Sequence, residues 1–260
     1  MFDTITVETD ERGVATLTLA RAEKHNAMNA QMIAELTQAA AGLGADETVR
    51  VVVLQAEGHS FCAGGDLGWM KDQMDASADQ RAAGARELAT MLGALNTLPK
   101  PLIGRVHGQA FGGGIGMMSV CDVAIGAADL KFGLTETRLG LIPATISPYV
   151  IKRMGEAKAR QVMMSARFFD STEAQTLGLL AKVVAPEDLD SAIEVEIKPY
   201  LTVAPHAVEK TKRLIRGQGG DITQAQIDAS IAALVEAWED PEAREGITAF
   251  FAKEKAPWAG

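Results

Sequence analysis

The chain has 260 residues, of which 47% are hydrophobic, and a formal net charge of −9 at pH 7. That length suits one large domain with a substantial core and excludes a small disulfide-stapled scaffold, while the acidic balance disfavours non-specific binding to nucleic acid or anionic membranes, which need a cationic field. Cys62 and Cys121 are the only cysteines, the stretch Met1–Glu11 has no apolar signal core, and no charge-free run approaches the ~20 residues of a membrane span, so a cytoplasmic protein with two reduced thiols is expected.

Ile5 and Val7, then Val14, Thr16 and Thr18, alternate around the polar turn Glu8–Gly13, which predicts a β-hairpin. Met32, Ile33, Leu36 and Leu43 fall at helical spacing between Ala30 and Leu43. Val51–Leu54 is a continuous apolar run of the kind found in a strand covered on both faces, and it leads into the glycine-rich segment Gly58–Asp66. A helix follows through Leu88, Leu92 and Leu95, closed by Pro99–Lys100–Pro101. The pattern then recurs: Leu102–Val106 is a strand, His107–Gly114 a glycine-rich turn and Ile115–Cys121 the opening of a helix. Gly64–Gly65 and Gly112–Gly113 are 48 residues apart, so a strand-to-helix corner is made twice. Beyond Ala185 strand signals vanish, and Leu189–Val203, Pro205–Arg216, Ile222–Trp238 and Pro241–Lys253 are expected as helices, two of them opened by proline. A boundary near residue 190 divides a core, 1–190, from a helical region, 191–260, expected to cover an active site or a subunit contact.

Three segments can carry chemistry. Ser60–Leu67 follows a buried strand and precedes a helix, where glycines let the backbone approach a ligand and free N–H groups face developing negative charge; a plain tight turn is the other reading. Gln109–Gly116 has three consecutive glycines at such a junction, lacking both the dinucleotide spacing and the Lys-Ser/Thr of a phosphate loop. Phe132–Pro143 places Glu136 in a mainly apolar segment where desolvation would raise its pKa, as a general acid/base requires, although an ion pair with Arg138 is also open. The histidines His59, His107 and His206 are not spaced as a metal site, and no nucleophile elbow surrounds Ser60 or Ser119.

In this order and spacing the three segments resemble the crotonase (enoyl-CoA hydratase/isomerase) superfamily, from the Arg21–Ala30 loop to the Phe250–Lys255 tail. The resemblance implies an α/β fold, a spiral of ββα units with a helical C-terminal trimerisation region, assembled as a trimer or a dimer of trimers. It implies an acyl-CoA thioester as substrate, with coenzyme A as part of that substrate and no further cofactor, no metal, no nucleic acid and no membrane. By the same resemblance Ala63 and Gly113 supply the N–H groups of an oxyanion hole, and Glu136 is the catalytic carboxylate. Lys24, His25 and Ala27 belong to the loop that accepts the adenine end of coenzyme A. Gly65, Asp66, Leu67, Trp69 and Gly116 are further contacts for the ligand, and Phe250 and Lys253 reach a neighbouring subunit's coenzyme A; Trp69 and Met70 also admit a core reading.

The sequence departs from the family pattern at one point. Typical hydratases of the family carry a first glutamate three residues beyond the middle glycine, and here that position is Gly116, 20 residues before Glu136. Family isomerases manage with the later glutamate alone. Leu141–Val150 and Ala63–Met70 nevertheless resemble bacterial methylglutaconyl-CoA hydratases. Hydration of a 2-enoyl-CoA, 3-methylglutaconyl-CoA or a related branched thioester, is therefore the expected reaction, with space beside Gly116 expected to be open. Double-bond isomerisation, thioester hydrolysis or decarboxylation, and non-catalytic coenzyme A binding stand as alternatives.

Overall fold

The computed structural model describes residues 2–260. The predicted hairpin is formed by β1 (Ile5–Thr9) and β2 (Val14–Leu19), paired antiparallel with Ile5 opposite Leu19. Helix α1 (Ala30–Ala45) starts at Asn29, whose side chain accepts the Met32 N–H and so satisfies one of the donors a helix start leaves free. Strand β3 (Val51–Ala56) follows and lies parallel to β2.

From β3 onward one step repeats. β3 is followed by the short strand β4 (Ser60–Cys62) and then by α2 (Leu67–Asp75) and α3 (Ala78–Thr97). The single helix expected after the first glycine-rich segment is thus two, because the Ser77–Gln80 capping box starts a new helix after the extended Ala76. Next come β5 (Leu102–Val106), β6 (Gln109–Phe111) and α4 (Gly113–Val120). A third round, β7 (Val123–Ala127) and β8 (Lys131–Gly133), leads to a 3-10 turn at Glu136–Leu139 and to α5 (Ser147–Met154). Then come α6 (Glu156–Met163), β9 (Phe168–Asp170), α7 (Ser171–Leu177) and β10 (Lys182–Val184). First strands enter a six-stranded sheet of order β1-β2-β3-β5-β7-β10, and second strands a four-stranded sheet of order β4-β6-β8-β9. This is the expected spiral of ββα units.

The unbroken apolar run of β3 has a two-sided cause. Val52 and Leu54 belong to the main core with α1 and α3, whereas Val51 and Val53 pack with Leu189, Ala192, Ile193 and Ile197 on the opposite face. Those four come from α8 (Leu189–Leu201), the first of the four expected C-terminal helices; α9 (Pro205–Gln218), α10 (Gln224–Glu239) and α11 (Pro241–Ala252) complete the set. Residue 190 therefore falls within a helix that covers the large sheet, and the region beyond it packs onto the core. Helix α9 is tied down by Lys212, whose ammonium donates to Asp122 Oδ2 at 2.7 Å and to the Lys100 carbonyl at 3.0 Å. No helix among the described residues is long and apolar enough to cross a membrane.

Candidate active site

Two glycine corners meet because their preceding strands pair. Parallel pairing of β4 with β6 sets Ser60 opposite Gln109 and brings the loop after each strand to one end of the small sheet. A methyl group on Gly64 would lie 3.1 Å from the Phe111 carbonyl oxygen and 3.8 Å from the Gly113 nitrogen, and both Gly64 (φ +94) and Gly112 (φ +47) adopt backbone angles that side chains disfavour. The loop of residues 21–28 is stitched to the first corner by buried Asn26, which donates to the carbonyls of Glu57 at 2.8 Å and Ser60 at 2.9 Å. Ala63 N–H donates to the His25 carbonyl at 3.0 Å, Met28 N–H to Gly64 at 2.7 Å, and Asp66 N–H to Met28 at 2.9 Å. Among the described residues the N–H of Gly65 has no partner, and neither has that of Gly113, the first residue of α4.

The carboxyl group of Glu136 stands against the second corner. A methyl group on Gly112 would come within 2.9 Å of Glu136 Oε1, so only glycine leaves this approach open. The residue is partly exposed as a whole, but Oε2 is closed off from solvent and has no hydrogen-bond partner. Burial pushes the pKa up to about 7, offset only in part by the residue's own backbone N–H. Arg138 does not pair with it; its guanidinium lies 4.4 Å from the centre of the Phe168 ring. Glu136, Gly65 and Gly113 line one cavity of about 130 Å³, walled by Met28, Ile33, Trp69, Met70, Leu88, Leu141, Ile142, Pro143 and Ile146. Leu234 and Trp238 of α10 also line it. Arg81 of α3 holds that helix, pairing with Glu239 and placing its guanidinium 5.3 Å from the Trp238 ring centre.

Residues 9–260 match the sequence model of the enoyl-CoA hydratase/isomerase family. The chain belongs to this family. An enoyl-CoA hydratase of Alternaria alternata, AKT6-1, is 31% identical over 207 residues, covering 79% of this chain and 67% of the relative. The crystal structure of an enoyl-CoA hydratase from Shewanella pealeana superposes with a TM-score of 0.81 at 35% identity, covering 99% and 97% of the two chains. One from Mycobacterium smegmatis superposes with a TM-score of 0.81 at 32% identity over 99% and 100%.

Within this enoyl-CoA hydratase/isomerase fold two expectations are corrected. Ala63 is not available as an oxyanion donor, because its N–H is spent on His25; the free N–H of that corner belongs to Gly65. Gly116 does not open onto this cavity either. It is buried in α4, and a methyl group there would lie 2.8 Å from Cγ2 and 3.2 Å from Cβ of Ile146, the residue that itself lines the cavity. Asp66 is occupied structurally: it caps α2 through the N–H groups of Gly68 and Trp69 and pairs with Arg21 Nη2 at 3.0 Å. Burial raises the Asp66 pKa, but the bonds from Arg21, Trp69 and Gly68 outweigh it, leaving it below the ordinary aspartate value.

Trp69 and Met70, read from the sequence as core before pocket, both line the cavity, while Leu67 is 50% exposed outside it. Lys24 and His25 are exposed on the stitched loop, with His25 Nδ1 3.0 Å from Ser60 Oγ, and Ala27 is buried beneath them. Phe250 lines a separate groove behind the Glu136 turn, with Thr137, Arg138 and Trp258, and Lys253 closes α11; within one chain neither lines the acyl cavity. Both cysteines are buried and unbridged, their pKa values pushed up to about 12 by burial, which leaves no thiolate nucleophile. Leu234, Trp238 and Thr145 were not among the expected site residues, since nothing local in their segments distinguishes them from ordinary packing positions.

Proposed function

We propose that the protein is an enoyl-CoA hydratase that adds water across the 2,3-double bond of a short 2-enoyl-CoA. The observation that carries the reading is a carboxyl whose Oε2 is buried and without a partner, with a pKa of about 7, set beside two unpaired backbone N–H groups. The N–H groups of Gly65 and Gly113 would hold the thioester oxygen and stabilise the enolate formed when water attacks C3. Glu136 would take the proton from that water and return it to C2, which a group poised near neutrality can do in both directions. Thioester hydrolysis and decarboxylation find no second acid/base group, since Asp122 is held by Lys212 and the Leu102 N–H.

The cavity sets the acyl group. At about 130 Å³ it is close to the roughly 150 Å³ of a cavity that takes benzene, so a short or branched chain fits. Its lining has no lysine or arginine, and the distal carboxylate of 3-methylglutaconyl-CoA would meet no cation there; an uncharged branched enoyl group is the better match. Lys24 would offset the phosphates of coenzyme A against the chain's net charge of −9. A cytoplasmic homotrimer or dimer of trimers, with Phe250 and Lys253 serving a neighbour's coenzyme A, completes the proposal. The single glutamate keeps isomerisation as the second reading. A panel of crotonyl-, 3-methylcrotonyl-, glutaconyl- and 3-enoyl-CoA thioesters, followed by loss of conjugated absorbance and by product mass, separates them: hydration adds water to the product and isomerisation leaves the mass unchanged. Turnover of 3-enoyl-CoA alone, with no mass change, would overturn the hydratase reading.

A further inference from the structure

Hydration needs polar partners for a water, and one residue ahead of Ile146 the lining of this cavity carries a hydroxyl. Thr145 lines the cavity, is 4% exposed, and its Oγ1 has no hydrogen-bond partner among the described residues. A buried hydroxyl without a partner is costly, and in native proteins such an atom usually meets a ligand or an ordered water. Of the five buried side-chain polar atoms without partners among the described residues, two belong to residues of this cavity, Thr145 Oγ1 and Glu136 Oε2. A water confined there needs two or more polar partners. Gly116 provides none, and Ile146 fills the space beside it.

Resting on the hydratase reading above, we propose that Thr145 and Glu136 together hold the attacking water, Thr145 being the water-positioning residue that stands in for a second carboxylate. The water oxygen bonds to C3 as the C2–C3 π pair moves toward the thioester oxygen. The water proton passes to Glu136 and from there to C2. Thr145 neither gains nor loses a proton; it fixes the direction of the water's lone pair through one hydrogen bond.

The test compares Thr145→Val, which removes only the hydroxyl, with Thr145→Ser, which keeps it. Two rates are measured: hydration of crotonyl-CoA, and exchange of the C2 protons of butyryl-CoA with deuterated solvent, which uses Glu136 and the N–H groups but no attacking water. Thr145→Val is expected to lower kcat for hydration about 10–100-fold, as loss of positioning does, with KM within about twofold and exchange retained, while Thr145→Ser recovers most of kcat. Wild-type hydration by Thr145→Val, loss of hydration and exchange together, or a change confined to KM would each overturn the assignment. Absence of hydration in the wild type would instead overturn the hydratase reading, whatever the variants do.

Discussion

The proton-carrying role proposed for Glu136 rests on how uncomfortable its carboxylate is where it sits, and that discomfort has measurable consequences. Its folded pKa of about 7 lies above the ordinary value of 4.5, so between those limits the folded state holds the proton more tightly than the unfolded chain. Its burial therefore does not disturb folding below about pH 4.5, and costs progressively more as pH rises, levelling off above about 7. Glu136→Gln lacks this titration: its stability relative to wild type should increase by on the order of 2–3 kcal/mol between pH 5 and pH 8 in urea titrations. The same variant should lose about 10²–10⁴-fold in hydration, and kcat/KM of the wild type should rise with pH through about 7, because the free enzyme must carry the carboxylate to accept the water's proton. A flat profile between pH 6 and 8 would remove Glu136 from that step. The donor assignment is tested at single atoms by replacing one backbone amide with an ester. At Gly65 or Gly113 this should cost roughly 10²–10³-fold in kcat. At Ala63 it deletes only the bond to His25, and kcat should change far less.

At the level of elements, the glycine of α4 that faces α5 is a packing residue. Gly116→Ala adds a methyl group 2.8 Å from Ile146 Cγ2, so something must move. Alanine gains about 1 kcal/mol of helix propensity over glycine, and overpacking in a dense core costs roughly 1–3 kcal/mol. The net expectation is a loss of stability of about 1 kcal/mol by urea denaturation. Ile146→Ala removes Cγ2, and in that background Gly116→Ala should be neutral or stabilising, a coupling that distant sites do not show. Equal effects in the two backgrounds would mean that Gly116 and Ile146, the residue that caps α5, do not meet. By the same contact, a glutamate at 116 would not reach the acyl cavity without displacing Ile146.

At the scale of the whole molecule, the C-terminal helices finish a cavity that the spiral leaves incomplete. Leu234 and Trp238 reach the cavity from α10, which Arg81 clamps to α3. Trp238→Leu should lengthen the accepted chain. Each methylene admitted to an apolar pocket is worth about 1–3 kcal/mol, so the ratio of kcat/KM for a C6 over a C4 enoyl-CoA should rise about tenfold or more. An unchanged ratio would place Trp238 outside the acyl wall. The sequence by itself determined the hairpin, the apolar strand β3, both glycine corners and the four C-terminal helices to within about two residues at most ends, because periodicity, proline and glycine act on neighbours a few positions apart. The 48-residue offset of the corners returns as the pairing of Cys62 with Ala110, one residue different from that of Ser60 with Gln109. The third repeat of the step, β7 followed by β8 in the other sheet, left no local signal, for it ends in the Glu136 turn and carries no glycine run at its corner. Only the tertiary structure decided which N–H is free, since that depends on the His25 carbonyl capturing Ala63 from 38 residues away. It also decided that Ile146 fills the space beside Gly116, that Thr145 is left without a partner, and that Trp238 closes the wall. Each of these is a contact between distant segments, and no local pattern of residue types encodes which two surfaces the chain will bring together.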